Sequence, residues 1–139
     1  MPILVPNIGE VRLLRYIIGD TTPSQGLVLH LYSNNKAPAE TDTESNYTAP
    51  TALGYAPSTL SPSSWSVGTD GSSGTSSALY NNGITFTFGT AASTQNVYGY
   101  YVTDTSNNLL WAENFPNGQP FALPASGGEI AIRPQVQLS

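Results

Sequence analysis

Cysteine is absent from the sequence, and this excludes disulfide bonds and thiolate metal sites. Histidine occurs once, at His30, which argues against a zinc site because cysteine and histidine are the common zinc ligands. No stretch approaches the ~20 apolar residues of a membrane-spanning helix. The apolar start of the chain lacks the basic region and the length of a signal peptide. These absences predict a soluble protein that folds in a cytoplasm, with no metal, no cofactor and no membrane partner.

Charged residues are also scarce. They make up 9% of the chain, against a typical ~25%. The basic ones are only Arg12, Arg15, Lys36 and Arg133, and the net charge is −5. Because proteins neutralise phosphates with lysine and arginine, we expect no direct contact with nucleic acid.

Uncharged polar residues and aromatics take the place of the missing charges. The chain has eight tyrosines, four phenylalanines and two tryptophans. Its 139 residues suit one domain with a real core. Abundant aromatics and a low net charge exclude a disordered chain. The composition fits an all-β protein with long loops, or a protein whose surface is largely covered by neighbours.

The strongest strand pattern is a hairpin formed by residues 97–104 and 109–115, joined by the polar turn 105–108. Both faces carry large apolar groups, which predicts a central pair covered on both sides. One cover is expected to be a second sheet, and the other the N-terminal segment or a partner subunit. Gly99 indicates a bulge or the close approach of a ring.

Side-chain alternation in the second arm of this hairpin places Leu109, Trp111 and Phe115 on one face. It places Tyr98, Tyr100 and Val102 together in the first arm. Other strands are predicted at 27–32, 64–67 and 84–88, with weaker ones at 53–57 and 59–60. Residues 130–138 are predicted to form a half-buried strand with Pro134 at an edge or bulge. Loops are expected at 20–26 and 33–50, and an exposed Gly/Ser/Thr loop at 68–77.

Seven to nine short strands with turn signals between them predict an antiparallel β-sandwich over residues 21–139. Jelly-roll and immunoglobulin-like topologies are both compatible with the pattern. Residues 1–20 are expected to form an N-terminal arm and one short helix within the same single domain.

That helix is predicted at 8–18, after an extended arm at 1–7. Asn7 and Glu10 have the spacing of a capping box, and Gly19 fits the position just after a helix. A three-turn helix is marginal alone, so it must pack on something.

Val11, Leu14 and Ile18 form an apolar stripe on this helix, with Arg12 and Arg15 near the other face. The stripe has two interpretations. The helix covers an open sheet end of its own domain, which we favour, or it docks on a partner.

No catalytic residues are predicted. His30 alternates with leucines on a strand, which favours a structural histidine, and no nucleophile elbow of the G-x-S-x-G kind is present. A hydrolase would need His30 exposed beside an acid and a hydroxyl. Asp42, Glu44 and Asp70 match no EF-hand spacing and are expected to be solvated loop acids rather than calcium ligands.

Five short segments of the sequence carry a family resemblance. They are LLRYIIG at 13–19, LVLHLYSNN at 27–35, GYAPSTL at 54–60, VYGYYV at 97–102 and LLWAE at 109–113. In these segments the chain resembles small structural proteins of tailed bacteriophages, some of which act as capsid cement or decoration proteins. The resemblance implies a non-enzymatic protein on the capsid surface of the virion that bridges major capsid subunits, often as a trimer.

Two functions follow as hypotheses. The first is a cement protein whose contacts come from the arm, the helix and the 33–50 loop. Its candidate partner-binding residues are Ile3, Leu4, Val5, Arg12 and Arg15. The alternative is a carbohydrate-binding or host-adhesion module of a tail or fibre, in which an exposed Trp65 or Trp111 would stack on sugars.

Overall fold

The computed structural model describes residues 3–20, 22, 26–70 and 74–138. The predictions made for Met1, Pro2, Gly71 and most of the 20–26 loop therefore lie outside the described residues.

One α-helix and eleven strands make up the described part of the chain. The helix is α1 (Asn7–Ile17), and the strands are β1 (Leu27–Tyr32), β2 (Ser58–Leu60), β3 (Trp65–Asp70), β4 (Thr75–Tyr80), β5 (Ile84–Phe88), β6 (Gln95–Val97), β7 (Gly99–Thr103), β8 (Leu109–Asn114), β9 (Phe121–Leu123), β10 (Gly128–Ile132) and β11 (Gln135–Leu138). Three single-turn 3₁₀ helices lie at Glu44–Asn46, Pro62–Ser64 and Pro116–Gly118. No described helix has both the length and the hydropathy to cross a bilayer.

The strands form four antiparallel sheets, so the predicted all-β sandwich with one short helix is confirmed. The largest sheet has four strands in the order β2-β1-β7-β8. The smaller ones are β11-β4-β3, β10-β5 and β6-β9. Side chains from the smaller sheets pack against one face of the large sheet and close the main core.

The strand pairs are nested around the β7–β8 turn. From the inside outward, β7 pairs with β8, β6 with β9, β5 with β10 and β4 with β11. A double strand folded back on itself in this way has the pairing of a jelly roll, with β1 and β2 added beside β7. Strand periodicity alone could not separate this order from an immunoglobulin-like one, because pairing partners far apart in sequence leave no local signal.

Both faces of the central hairpin are covered, as predicted. Tyr100 and Val102 of β7 face the main core. Tyr101 faces a second cluster, whose members are Tyr32, Tyr47, Tyr101, Leu109 and Ala112. Tyr47 comes from the 33–50 connection, so a loop of this same chain supplies part of the second cover.

The predicted common face of Leu109, Trp111 and Phe115 is wrong. Val102 pairs with Trp111 but Thr103 pairs with Leu109, so Leu110 is an extra residue in β8. One inserted residue reverses the alternation beyond it. Leu109 therefore packs in the second cluster and Trp111 in the main core.

The close approach of a ring that was predicted at Gly99 is confirmed. A Cβ atom at this position would lie 2.7 Å from the hydroxyl of Tyr32 and would overlap the carbonyl oxygen of Glu113. Only glycine lets β7 and the Tyr32 ring come this close.

Two other predictions need correction. The exposed loop expected at 68–77 is largely strand, because β3 continues to Asp70 and β4 begins at Thr75 in a regular ladder that pairs Gly68 with Ser77. The run 130–138 is two strands in two sheets, since proline has no N–H to donate and Pro134 separates β10 from β11. Its alternation survives the break, with Ile130 and Ile132 buried.

The weak strand expected at 53–57 is absent, and only Ser58–Leu60 pairs in that region. The capping box is also wrong. Pro6 is the N-cap, and Asn7 is the first helical residue, whose backbone N–H donates to the carbonyl oxygen of Glu40 at 2.9 Å. The helix end is as predicted, with Gly19 at φ +74°.

Candidate functional site

Helix α1 is fixed on the edge of the large sheet through a small inner face. Pro6 and Gly9 are buried, and Leu13 and Tyr16 are half-buried. A Cβ atom on Gly9 would overlap the carbonyl oxygen of Leu110 in β8. The helix backbone therefore lies directly against the strand backbone at this point, which leaves little freedom for the helix to shift.

An ion pair between the half-buried Arg12 and the buried Asp104 provides the second attachment of the helix. Arg12 donates from Nε and Nη2 to Oδ2 of Asp104 at 3.1 and 3.0 Å. Asp104 is 1% exposed and also accepts hydrogen bonds from the backbone N–H groups of Ser106 and Asn108 at 2.8 and 3.0 Å. Burial alone raises the pKa of Asp104, but the hydrogen bonds from Asn108, Ser106 and Arg12 outweigh it and hold that pKa below its usual value. One carboxylate thus shapes the β7–β8 turn and holds the helix.

The arm before the helix is paired with β8. Leu4 exchanges two backbone hydrogen bonds with Ala112, at 3.0 and 2.9 Å. Ile3 and Val5 are half-buried and pack against the main core. The predicted partner residues Ile3, Leu4, Val5 and Arg12 are therefore occupied within this chain.

Arg15, the fifth predicted partner residue, lies at the surface. Its guanidinium is 3.7 Å from Asp20 in an exposed ion pair. Exposed pairs of this kind contribute little to stability, so Arg15 is free to exchange this partner for another. The structure does not bring it together with the other four.

The outer face of α1 is apolar and uncovered. We call its five side chains the outer stripe: Ile8, Val11, Leu14, Ile17 and Ile18. Their exposed fractions run from 39% to 80%, and Ile17 is the most exposed. A surface helix normally turns its apolar face to the core. Here Gly9, Arg12, Leu13 and Tyr16 face the body of the protein, and the five aliphatic side chains of the outer stripe face outward. Exposed apolar side chains gathered on one face in this way mark an interaction site.

Comparisons with known proteins do not assign a family to this chain. No protein-family model and no curated protein matches it.

The histidine lies in a stack of aromatic rings rather than in a reactive site. The His30 ring lies 4.6 Å from that of Tyr101 at an interplanar angle of 4°, and Tyr101 lies 4.8 Å from Tyr47. His30 Nε2 is 3.0 Å from the Thr103 hydroxyl. Burial lowers the pKa of His30 to about 4, so the ring is neutral at pH 7. The stack covers the second face of the hairpin.

Asp42 anchors the 33–50 connection to this stack. Its carboxylate accepts hydrogen bonds from the Tyr47 hydroxyl and the Ala39 backbone at 2.9 Å, and it lies 2.8 Å from Lys36 Nζ. Burial raises the pKa of Asp42, but these contacts, led by Lys36, hold it below its usual value. Asp42 is thus buried and paired, not the solvated loop acid that the sequence predicted. Among the described residues, no group of three or more metal-ligating side chains comes together.

The tryptophans are placed in or beside the core. Trp111 is buried, and Trp65 is half-buried with its ring edge-on to Trp111 at 6.4 Å. Trp111 therefore offers no exposed surface for stacking on sugars.

Sequence reasoning found three members of the outer stripe but missed Ile8 and Ile17. The helix is apolar on most of its circumference, so periodicity could not say which face turns inward. The available signal was Gly9, because a glycine inside a helix is unfavourable unless another backbone must approach it closely.

Proposed function

We propose that this protein is a non-enzymatic virion structural protein that binds the assembled capsid shell as a cement or decoration protein. It bridges major capsid subunits, acts as a trimer on the capsid surface, and is made in the host cytoplasm. The observation that carries the proposal is the outer stripe, an apolar surface displayed on a helix that is fixed to the body by Gly9 and Arg12. The resemblance to phage structural proteins points to the shell as the partner.

The energetics favour a contact through this helix. Burying a Leu, Ile or Val side chain contributes ~1.5–3 kcal/mol, and the stripe offers five such side chains. The helix is already held by β8 and Asp104, so little ordering entropy is lost on binding. A trimer that places three copies of the stripe on one shell would strengthen weak single contacts by multivalency.

The mechanism is mass action. A protein that binds the assembled shell but not its separated subunits stabilises the shell in proportion to the logarithm of its concentration above Kd. No reactive group is needed for this role.

The test heats shells of the cognate major capsid protein with and without this protein. We expect the wild-type protein to raise the disruption temperature, and the Ile17→Asp variant to lose that effect because a carboxylate would be buried in an apolar contact. Val67→Asp is the matched control, since Val67 on β3 is also 80% exposed but lies outside the stripe.

The proposal fails if saturating wild-type protein leaves the disruption temperature unchanged. It also fails if both aspartate variants lose shell binding equally, because the effect would then not come from the stripe. Thermal unfolding of each free variant checks that the fold is intact.

A further inference from the structure

A cleft of about 710 Å³ opens between the C-terminal end of β8 and strand β11. The two strands belong to different sheets, and each is the end strand of its sheet. Along the edge of β8, alternate residues present their backbone groups outward. Helix α1 covers Leu110, the arm pairs with Ala112, and Asn114 opens into the cleft.

We infer that this cleft binds a neutral oligosaccharide. Its polar lining is Tyr100, Glu113, Asn114, Arg133, Gln135 and Gln137.

The floor is a fixed hydroxyl and carboxylate. Tyr100 is buried and donates its hydroxyl hydrogen to Oε2 of Glu113 at 2.5 Å. This contact orients Glu113 and leaves the second carboxylate oxygen as an acceptor. A preset acceptor of this kind loses little entropy when a sugar hydroxyl donates to it.

The walls supply donors and further acceptors. Arg133 donates from Nε to the carbonyl oxygen of Tyr80 at 3.0 Å, which holds the guanidinium in place. Within the described part of the chain, its two terminal nitrogens and the side-chain amides of Gln135 and Gln137 make no hydrogen bond. Amides both donate and accept, and a guanidinium donates from a rigid planar fork. Adjacent sugar hydroxyls, which also donate and accept, match this set.

The charge of the lining selects a neutral ligand. Among the described residues that line this cleft, Glu113 and Arg133 are the only charged side chains, and their opposite charges cancel. An anionic ligand would pair with Arg133 but be repelled by Glu113, and a cationic ligand would pair with Glu113 but be repelled by Arg133. A polyhydroxylated neutral molecule pairs with both.

A second, mainly apolar cleft of about 360 Å³, which Gln119 and Glu129 also line, continues the first. The two share Phe115, Pro116, Ala131 and Ile132, and the second adds the exposed ring of Phe121. The C–H face of a pyranose ring packs on apolar and aromatic surface of this kind. The main cleft is within the ~300–1,000 Å³ usual for ligand sites. Together the two clefts fit a linear chain of a few sugar units.

This site is separate from the outer stripe. Ile3 lines the cleft, whereas the stripe lies on the far side of α1. A molecule attached to a shell through the stripe is therefore free to bind a glycan through the cleft, and the two functions can be tested independently.

The experiment is a titration of ¹⁵N-labelled protein with maltotriose, cellotriose and chitotriose, followed by NMR chemical shifts. We expect at least one trisaccharide to shift the signals of Glu113, Gln135 and Gln137 saturably. The double variant Gln135→Ala/Gln137→Ala should bind about tenfold more weakly, since two hydrogen bonds are lost. Both side chains are exposed, so the fold is expected to be retained.

Asn35→Ala, which removes an exposed amide from the 33–50 connection that lines neither cleft, is the control and should bind like wild type. Three results would overturn the inference. They are the absence of saturable shifts with all three sugars, equal binding by the double variant and wild type, and stronger binding of trigalacturonate than of any neutral trisaccharide. Saturable binding of an extended peptide along β11 with no sugar response would assign the cleft to strand addition instead.

Discussion

Single buried polar residues determine how this chain covers its central hairpin. His30, Asp42, Thr103 and Asp104 are all buried, and each has a defined partner within the chain. Buried polar groups are costly unless they are paired. Their pairing therefore fixes which loop and which helix lie against β7 and β8.

At the scale of one residue, we predict an acid-sensitive fold that depends on His30. Its pKa is about 4 in the fold and 6.5 when unfolded. Between these values the unfolded chain binds a proton that the folded chain does not, so stability falls as the pH falls from 6.5 to 4. The loss amounts to about 3 kcal/mol at ~1.4 kcal/mol per pKa unit. Urea unfolding at several pH values between 4 and 7 measures it.

The His30→Gln variant should lose this slope, because glutamine bonds with the Thr103 hydroxyl but has no proton to gain. Asp42 and Asp104, whose folded pKa values lie below the ordinary value of 3.8, lower stability only below about pH 5, where their unfolded carboxylates begin to bind protons. They are unchanged in His30→Gln, so the difference between the two profiles isolates His30. Parallel pH profiles for wild type and His30→Gln would contradict the prediction.

Residue patterns alone indicated a structural role for His30 and a close approach at Gly99. They could not indicate that Asp42 and Asp104 are buried. An acid in a polar loop has the same local signature whether it is solvated or paired, and the partners of Asp104 include Arg12, 92 positions away.

At the scale of the element, helix α1 shows how a contact between backbones can determine which face of a helix turns toward the core. Gly9 lets the helix approach Leu110 so closely that even a methyl side chain at this position would overlap the Leu110 carbonyl oxygen. The aliphatic side chains are consequently left outside. The existence of the helix and its end at Gly19 could be predicted from local sequence, whereas its orientation depends on β8, which lies a hundred residues away.

We predict that Gly9→Ala destabilises the protein although alanine is the better helix former. The gain in helix propensity is ~1 kcal/mol. It is outweighed by the overlap of the new methyl group with the Leu110 carbonyl, and overpacking of this kind costs ~1–3 kcal/mol or more. Urea unfolding gives the net free energy, and hydrogen exchange of the α1 amides shows whether the helix has lifted from β8.

Asn7→Ala is the matched control on the same helix. The Asn7 side chain is exposed and makes no capping hydrogen bond, so its loss should change stability by no more than ~0.5 kcal/mol. A Gly9→Ala protein more stable than wild type would show that the helix does not pack as closely as described.

At the scale of the whole molecule, the nested pairing produces layers of unequal burial. Every residue of β7, in the innermost pair, is buried. In β4, which belongs to the outermost pair, only Tyr80 is buried. The fold class could be predicted from strand periodicity, but this order could not, because β4 and β11 are brought together by the whole intervening chain.

We therefore predict a gradient of hydrogen-exchange protection. The amides of β7 should exchange only on global unfolding, whereas those of β3, β4 and β11 should open locally at lower free energy. Native-state exchange in low denaturant measures both groups in one sample. Equal protection of β4 and β7 would mean that the three-stranded sheet does not open independently of the core.

The few basic residues have a practical consequence for detecting this protein by mass spectrometry. Trypsin cleaves after lysine and arginine but not before proline, and Arg133 is followed by Pro134. Residues 37–139 thus stay on one peptide, and the cut that would release it lies at Lys36, which is held on the buried Asp42. Trypsin therefore reports on this chain through few peptides, whereas chymotrypsin, with its many tyrosine and phenylalanine sites, would cover residues 37–139.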